Sequence, residues 1–498
     1  MITSTKRPVS NPGTALPTRS LLLVTRLLAA SVVLFAGPPS VHADGSKPTG
    51  IVFILLDNVG QEWFGCYGGE AGVTPVIDEL AAGGVKVDHC YTAPVCGPSR
   101  TVALTGRYPH STGFQLHHDA ALYSGGGLDP KREVLFPRLF REAGFTTGIT
   151  GKWQVNHLYD EPGILDRHGF AESLVWPGSL DRDRMSDEDW KTFLDAVARE
   201  SVEDTVPFIE RIESRYWDPV FLNGSRRERY EGKFGPDVSQ EFAIDFLRRH
   251  RDKPFLLYLP MVLTHGAFYP HPVTSTPLNR DENRPHNEMF ADMVRYADQL
   301  VGGIVKELEA LGLRDDTILL IASDNGTEKS LTTRQNGREV VGGLYQLNER
   351  GGSVAMLANC PKRIPGGRVL PLADFTDIYP TVCELAGVSL DPAHRPDGRS
   401  FASFLTTPQS SPPRDWILNE YNGTRVVRDE RFKLYSDGRF FDADADPDET
   451  VDLANDERPE MAQARKKLET VLGSLPPDNP PPFPLRSQSG FKIRSAAR

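Results

Sequence analysis

Two Asp-Asn pairs and one cysteine are the residues of this chain whose types and spacing could do chemistry. Asp57-Asn58 and Asp324-Asn325 offer only oxygen donors, which suit a hard divalent cation such as Ca²⁺. Cys96 precedes a segment that can form one or two helical turns, with Pro98 suited to the first position and Gly106 to the stop. Free N–H groups at a helix start favour an anion. The residues could therefore bind a cation and, beside Cys96, an anion.

Short apolar strands lead into polar clusters at four places in the sequence. The strands are expected over residues 51–56, 145–150, 255–260 and 317–323, and they lead to Asp57, Lys152, His265 and Asp324. Continuous apolar strands that alternate with helical patterns, such as the helix expected over 237–250, predict an α/β fold. Its large, mixed but mostly parallel sheet should be sandwiched by helices. Because ligands of such sheets bind beyond the carboxyl ends of the strands, the four clusters are expected to meet in one site.

The segment that starts at Cys96 reads Cys-Gly-Pro-Ser-Arg and closes with Leu-Thr-Gly at Gly106. It resembles the motif of type I sulfatases, which belong to the alkaline phosphatase superfamily. In that family an enzyme oxidises the cysteine to formylglycine during export, and a hydroxyl of the hydrated aldehyde attacks sulfur. The resemblance implies a sulfate ester hydrolase with formylglycine at position 96, a maturation enzyme as partner, and bound Ca²⁺, with Mg²⁺ as the alternative.

The resemblance also implies roles for the residues at the strand ends. The implied metal ligands are Asp57, Asn58, Cys96, Asp324 and Asn325. The implied catalytic residues are Cys96, Arg100, Lys152 and His265. Substrate binding is implied for Gln154, Lys152 and His265. In this scheme Arg100 and Lys152 hold the diol, and His265 protonates the departing alkoxide.

Three positions depart from the family pattern. Asn58 stands where a second aspartate is usual, so cation affinity should fall unless another acid compensates. Gln154 stands where a histidine is usual, although some sulfatases have glutamine there. A sulfate-binding lysine is expected after the second metal motif, but Leu344 and Tyr345 occupy its two possible positions. Losing one such contact can cost about 3 kcal/mol, or about a hundredfold in rate. The candidates to replace the lysine are Arg334, Arg338 and Arg350.

The resemblance extends from about residue 50 to about residue 475. Antiparallel strands expected over 425–428, 432–435 and 439–441, with a helix over 458–472, predict a small C-terminal unit. We therefore expect a signal peptide at 1–43, a catalytic domain at 44–408, a C-terminal subdomain at 409–475 and a Pro-rich flexible tail at 476–498.

Residues 1–43 are typical of an export signal, since they combine basic residues, no acid and a short apolar run before a small-residue cleavage site. An uncleaved anchor is the alternative. Removing them lowers Lys plus Arg from 56 to 52 against 67 acids, a net charge of −15. This charge argues against nucleic-acid binding, and no later segment predicts a membrane span. We expect the protein in the periplasm or outside the cell.

The chain has five cysteines, an odd number for an exported protein, so one is expected to be unpaired or reactive. Conversion of Cys96 would leave four. A disulfide between Cys90 and Cys96 is a competing fate that would destroy the nucleophile.

The expected function is hydrolysis of a sulfate ester, with a sulfated carbohydrate as the expected substrate. Two alternatives stay open. A phosphonate or phosphate ester hydrolase of the same superfamily would transfer a group of similar shape, and a catalytically impaired binder of sulfated glycans would account for Asn58 and the missing lysine. The aromatic residues of segment 181–234, among them Tyr216 and Trp217, could stack on sugar rings, although packing is the commoner use of such side chains.

Overall fold

The computed structural model describes residues 50–116, 127–156, 158, 161, 163–178, 186–198, 215–266, 271–272 and 284–481. The predicted signal peptide and most of the predicted Pro-rich tail lie outside these ranges. The boundary between a catalytic domain and a C-terminal subdomain stays a prediction.

The described residues form seventeen strands and twelve α-helices. The strands are β1 (Gly50–Leu56), β2 (Val85–Tyr91), β3 (Thr146–Lys152), β4 (Glu172–Trp176), β5 (Val220–Asn223), β6 (Arg226–Arg229), β7 (Phe255–Pro260), β8 (Thr317–Ser323), β9 (Thr332–Gln335), β10 (Arg338–Val341), β11 (Ser353–Val354), β12 (Met356–Asn359), β13 (Arg368–Asp374), β14 (Ile417–Tyr421), β15 (Thr424–Arg428), β16 (Phe432–Tyr435) and β17 (Phe440–Asp442). The helices are α1 (Pro75–Ala82), α2 (Cys96–Thr105), α3 (Pro109–Thr112), α4 (Phe136–Glu142), α5 (Ile164–Arg167), α6 (Asp187–Ala198), α7 (Gly235–His250), α8 (His286–Ala310), α9 (Glu349–Gly352), α10 (Ile378–Ala386), α11 (Ala402–Thr406) and α12 (Pro459–Ser474).

Eleven of the described strands form one sheet in the order β11-β2-β12-β8-β1-β7-β3-β4-β5-β6, with β13 paired to β2. Its centre, β8-β1-β7-β3-β4, is parallel throughout. Antiparallel pairings occur on either side of this block. The predicted α/β fold with a mixed, mostly parallel sheet is confirmed, as is the small antiparallel C-terminal sheet, which has the order β14-β15-β16-β17.

Both faces of the central sheet are buried under helices. Strand β1 sends Phe53 into one core and Ile54 into the other because side chains alternate along a strand. Residues of α2, α4 and α10 pack in the first core, and residues of α1, α7 and α8 pack in the second. This two-sided burial explains why the central strands read as continuous apolar runs. Among the described residues, no helix combines the length and apolar character that a membrane crossing needs.

Helix α2 begins at Cys96, so Pro98 is its third residue and not its first as predicted. The proline is tolerated there because the first four N–H groups of a helix have no acceptor within it. Gly106 ends the helix in the left-handed region (φ 66°), and its N–H donates to the Val102 carbonyl. The helix start, with its free N–H groups, therefore lies at Cys96 itself.

Strand β14 was not predicted from the sequence. Its Asn419 and Glu420 resemble loop residues, yet both are buried in the structure. Glu420 accepts a hydrogen bond from the backbone N–H of His110 and lies 2.8 Å from His110 Nδ1. A partner distant in sequence thus compensates for the burial of a polar strand residue.

Gly151 is the position where the central sheet most clearly requires glycine. Its φ is +119°, and a Cβ there would lie 1.9 Å from the Pro260 carbonyl oxygen. We predict that Gly151→Ala destabilises the protein by about 3 kcal/mol or more, because backbone strain and a backbone clash add. Urea unfolding measures the change. Gly163→Ala is the matched control, since nothing lies within 4 Å of that added methyl group, and equal stability of the two variants would contradict the prediction.

Candidate active site

The carboxyl ends of four adjacent parallel strands bring the predicted residues together. Asp57 follows β1, Lys152 is the last residue of β3, His265 lies five residues beyond β7, and Asp324 follows β8. Cys96 approaches the same edge at the start of α2. The fold therefore brings the four polar clusters together at one edge of the sheet, as the sequence predicted.

Backbone hydrogen bonds fix the end of β1 between its two neighbours. The Asp57 N–H donates to the Leu263 carbonyl at 2.9 Å, and the Thr264 N–H donates back to the Asp57 carbonyl at 2.8 Å. On the other side, the Asp324 N–H donates to the Leu56 carbonyl at 2.9 Å. The loops that carry His265 and Asp324 are thereby held in register with Asp57.

Asp57, Cys96 and Asp324 form a buried cluster in which one ligand atom of each residue lies within 4.8 Å of the others. The Cys96 Sγ is 3.5 Å from Asp57 Oδ1 and 3.4 Å from Asn58 Oδ1. All four side chains are shielded from solvent. The thiol and the first Asp-Asn pair are thus in direct contact.

The two asparagines complete the donor set. Asn58 has φ 61°, a left-handed conformation that asparagine tolerates better than most residues, and its N–H donates to Asp324 Oδ1 at 3.0 Å. Asn325 Nδ2 donates to Asn58 Oδ1 at 2.6 Å. The buried Asn325 Oδ1 has no hydrogen-bond partner among the described residues. Buried polar atoms normally have one, so this oxygen and its acidic neighbours fit a hard divalent cation.

Two buried cations contact the two carboxylates. Lys152 Nζ lies 2.6 Å from Asp57 Oδ2. Arg100 binds Asp324 Oδ2 through Nε at 3.0 Å and a terminal nitrogen at 2.7 Å, and its other terminal nitrogen donates to the Lys152 carbonyl. We call Asp57, Arg100, Lys152 and Asp324 the ion cluster. Its formal charges cancel, which makes its complete burial tolerable.

The groups of this site differ in their readiness to carry charge. Burial favours the neutral acid at Asp57, but Lys152 and Arg100 outweigh it and hold the pKa of that carboxyl well below its usual range. Burial and the charge of Asp57 raise the pKa of Asp324 to about 6. Burial also raises the pKa of the Cys96 thiol well above its usual value. The unmodified cysteine is therefore a neutral thiol and a poor nucleophile.

His265 is neutral in this environment. Its Nδ1 lies 2.5 Å from the Gly266 carbonyl oxygen and donates to it, which leaves Nε2 without a proton in the neutral ring. Burial and the nearby charges of Arg215 and Lys152 lower the pKa of His265 well below its usual value. The side chain must therefore gain a proton before it can act as an acid.

The positions that depart from the family pattern are occupied as follows. Gln154 has φ 55°, and its buried Oε1 has no hydrogen-bond partner among the described residues. Leu344 is buried and Tyr345 is 47% exposed. Neither side chain carries a positive charge, so neither replaces the lysine. Arg338 and Arg350 both bind Asp448, and Arg334 is exposed on β9. Two of the three arginines proposed to replace the lysine are thus paired with Asp448.

All five cysteines, which fall within the described ranges, are free. The Cys90 Sγ lies 3.8 Å from the sulfur of Met356. The competing disulfide between Cys90 and Cys96 is therefore not formed.

Comparison with known proteins agrees with this geometry. A family model described as Sulfatase matches residues 49–388. The chain belongs to the sulfatase family. It is accordingly a sulfuric ester hydrolase.

Two relatives and one solved structure illustrate the likeness of this sulfatase to known proteins. The steryl-sulfatase of Mus musculus is 27% identical over 445 residues, which cover 78% of this chain and 70% of the relative. The N-acetylgalactosamine-6-sulfatase of Canis lupus familiaris is 30% identical over 389 residues, which cover 74% of this chain and 66% of the relative. The crystal structure of Ps i-CgsB in complex with k-i-k-neocarrahexaose has a TM-score of 0.67 at 22% identity and covers 90% of this chain and 97% of that one. This last likeness supports the shared fold.

The pKa of Asp324 leads to a prediction for metal binding by this sulfatase. A cation needs the ionised carboxylate, so Ca²⁺ must displace a proton below pH 6. We predict that Ca²⁺ affinity rises by up to about tenfold per pH unit as pH approaches 6 from below, then levels off. Calorimetry in buffers of different ionisation enthalpy should record close to one proton released per ion at pH 5 and close to none at pH 7.5. Equal affinity and equal proton release at both pH values would contradict the prediction.

Proposed function

We propose that this protein hydrolyses a sulfate ester on a sulfated carbohydrate. The reaction would use formylglycine made from Cys96 and a bound divalent cation, with Ca²⁺ as the proposed ion and Mg²⁺ as the alternative. The observation that carries the proposal is the direct contact of the Cys96 Sγ with Asp57 and Asn58 at the start of α2. A cysteine that served only to fill the core would be expected to contact apolar side chains, whereas Cys96 contacts two buried oxygen donors. We further propose that the protein is exported, because the maturation enzyme of the family oxidises the cysteine during export.

The residues proposed to hold the cation are Asp57, Asn58, Asp324, Asn325 and position 96. When bound, the cation would offset negative charge on the transferring group. The Cys96 sulfur is the one soft donor of this set, and oxidation to formylglycine would replace it with oxygen. The modified set would then consist of oxygen ligands alone, which is what Ca²⁺ prefers.

Position 96 must be modified to supply a good nucleophile. Hydrated formylglycine would supply a hydroxyl that attacks sulfur. Arg100 and Lys152 lie against the carboxylates next to this position, where their charges would lower the cost of deprotonating that hydroxyl. The N–H groups at the start of α2 add further positive potential on the same side.

His265 is proposed to protonate the leaving alkoxide, and with Lys152 and Gln154 to bind the substrate. Its Nε2 is the ring nitrogen left open by the bond from Nδ1 to Gly266. An arriving sulfate ester brings negative charge, which favours protonation of the imidazole. The acid would thus be formed when the substrate that needs it is bound.

The names of two similar proteins support a carbohydrate substrate. One relative is an N-acetylgalactosamine-6-sulfatase, and one protein of the same fold was solved with k-i-k-neocarrahexaose. A steryl-sulfatase is also similar, so a sterol sulfate is the contrasting substrate. The deciding experiment is a desulfation screen of the modified, Ca²⁺-loaded protein against defined sulfated saccharides, a sterol sulfate and the matching phosphate esters. Sulfate release from saccharides alone supports the proposal. Preference for the phosphate esters, or saccharide binding without hydrolysis, would overturn it.

The nucleophile assignment predicts different outcomes for two substitutions at position 96. Cys96→Ala should abolish turnover, because alanine offers no oxygen to attack sulfur. Cys96→Ser should give at best a slow, single-turnover enzyme, since one hydroxyl cannot both attack and then expel sulfate. Sulfate release over many turnovers is the measurement, and Cys66→Ala, at a partly exposed cysteine, is the matched control. Multiple turnovers by the alanine variant would refute the assignment.

The depressed pKa of His265 predicts an acidic optimum for esters with poor leaving groups. At saturating Ca²⁺, kcat/KM for an alkyl or sugar sulfate should fall as pH rises from 5 to 8, by up to about tenfold per pH unit, because the required proton is lost. An aryl sulfate with a good leaving group needs no acid and should show a flatter profile. His265→Ala should lose far more activity on the alkyl ester than on the aryl ester, because the aryl ester loses only the binding contribution of this side chain. A parallel pH dependence for both esters would argue against His265 as the acid.

A further inference from the structure

The loop that carries His265 is held to the end of β1 through its backbone. The Asp57 N–H donates to the Leu263 carbonyl, and the Asp57 carbonyl accepts from the Thr264 N–H. The Thr264 hydroxyl donates to the same carbonyl at 3.1 Å. These bonds fix the backbone as far as Thr264, whereas the imidazole extends from the next residue. The orientation of the ring therefore depends on what holds the peptide unit after His265.

The peptide unit between His265 and Gly266 is held at both of its polar groups. The Tyr216 hydroxyl donates to the His265 carbonyl oxygen at 2.6 Å. The Gly266 N–H donates to Glu328 Oε1 at 3.3 Å. The Gly266 carbonyl oxygen in turn accepts from His265 Nδ1. The two outer contacts thus fix the backbone from which both the ring and its Gly266 acceptor extend.

Tyr216 is a rigid donor for this peptide unit. The residue is only 2% exposed, and its ring stacks on Phe234 with 5.8 Å between the ring centres. The N–H of Gly235, the first residue of α7, donates to the Tyr216 carbonyl at 2.6 Å. The start of α7 therefore holds the tyrosine whose hydroxyl binds the His265 carbonyl.

Glu328 belongs to the loop that carries the second Asp-Asn pair, three residues after Asn325. Its carbonyl accepts from the Leu331 N–H at 3.0 Å, and a Cβ on Gly342 would lie 2.2 Å from that carbonyl oxygen. A Cβ on Gly266 would lie 2.7 Å from Glu328 Oε1, so the carboxylate packs directly against this glycine. The acceptor for the Gly266 N–H is therefore fixed by the loop of the proposed metal site.

The contact with Gly266 favours the charged form of Glu328. Burial raises the pKa of Glu328, while the hydrogen bond from the Gly266 N–H and the charge of Arg215 oppose that effect. An ionised acceptor forms a stronger hydrogen bond than a neutral one. The carboxylate is thus suited to hold a backbone N–H in place.

We propose that Glu328 and Tyr216 are positioning residues that hold the imidazole of His265 in the orientation needed to protonate the leaving alkoxide. Gly266 lacks a Cβ, so without these contacts its backbone could adopt many conformations. Glu328 also links the position of the acid to the loop that carries Asp324 and Asn325. This inference rests on the proposed function, because it assigns the support of the acid proposed there.

Substitutions of Glu328 test the hydrogen bond and the charge separately. Glu328→Ala should lower kcat/KM for an alkyl sulfate at least about tenfold, because a small displacement of a catalytic group slows the reaction strongly. It should affect an aryl sulfate with a good leaving group far less. Glu328→Gln keeps an acceptor for the Gly266 N–H and should retain most of the activity. Ca²⁺ affinity should fall no more in Glu328→Ala than in Glu328→Gln, since both remove the same charge.

Glu339→Ala, at an exposed glutamate of β10, is the matched control and should behave as the unsubstituted protein. Tyr216→Phe keeps the buried ring and removes only the hydroxyl, so it should show the same selective loss on the alkyl ester. This variant decides the question if Glu328→Ala does not fold.

The tautomer of His265 gives a readout that does not depend on turnover. Nitrogen chemical shifts of the ring, measured by NMR without substrate and assigned with His265→Gln, should show a proton fixed on Nδ1 in the unsubstituted protein and in Glu328→Gln. Glu328→Ala and Tyr216→Phe should show a mixture of tautomers, because the Gly266 acceptor is no longer held in place.

The outcomes separate this inference from the proposed function. An unchanged His265 tautomer in both Glu328→Ala and Tyr216→Phe would overturn the positioning role, as would a change in Glu328→Gln as complete as in Glu328→Ala. A mixture of tautomers without a selective loss on the alkyl ester would leave the positioning role standing and refute His265 as the acid. The same mixture in a protein that hydrolyses no sulfate ester would refute the proposed function alone.

Discussion

The charge balance inside the ion cluster is the constraint on which the rest of the structure depends. Asp57 and Asp324 lie at the ends of two adjacent strands, and each is buried against a cation that comes from another element. Removing one member of such a buried pair costs about 3–5 kcal/mol, because a charge is left without a partner. The same contacts that join β1 to β3 and β8 to α2 also position the proposed nucleophile. The fold and the site therefore share one set of interactions.

This balance also explains how an acidic protein can attract an anionic substrate. The whole chain carries a formal net charge of −11, so its long-range field repels sulfate. The ion cluster alone is neutral, and a divalent cation would make it +2. His265 stays neutral until negative charge arrives, so it does not add to the repulsion between cations in the empty site. Positive potential within the site can thus attract the anionic substrate although the net charge of the protein repels it.

The sequence predicted the convergence well because it follows from one general feature. Apolar runs that end in polar residues become parallel strands, and parallel strands end at a common edge, so Asp57, Lys152, His265 and Asp324 had to meet. Other features depend on contacts between distant segments that leave no local pattern. Strand β14 was not predicted because Glu420 is polar and resembles a loop residue. The contact of Glu420 with His110 explains why this side chain is buried.

The asparagine at position 58 fits this charge balance better than the aspartate usual in the family. A carboxylate there would contact Cys96 and Asn325 and add a third negative charge to a cluster with two buried cations. Such a cluster would need its divalent cation to avoid a buried, uncompensated charge. Asn58 instead accepts from Asn325 and adopts the left-handed conformation (φ 61°) at little cost. The asparagine is expected to lower the affinity for the cation, and it lets the site assemble as a neutral cluster before any cation binds.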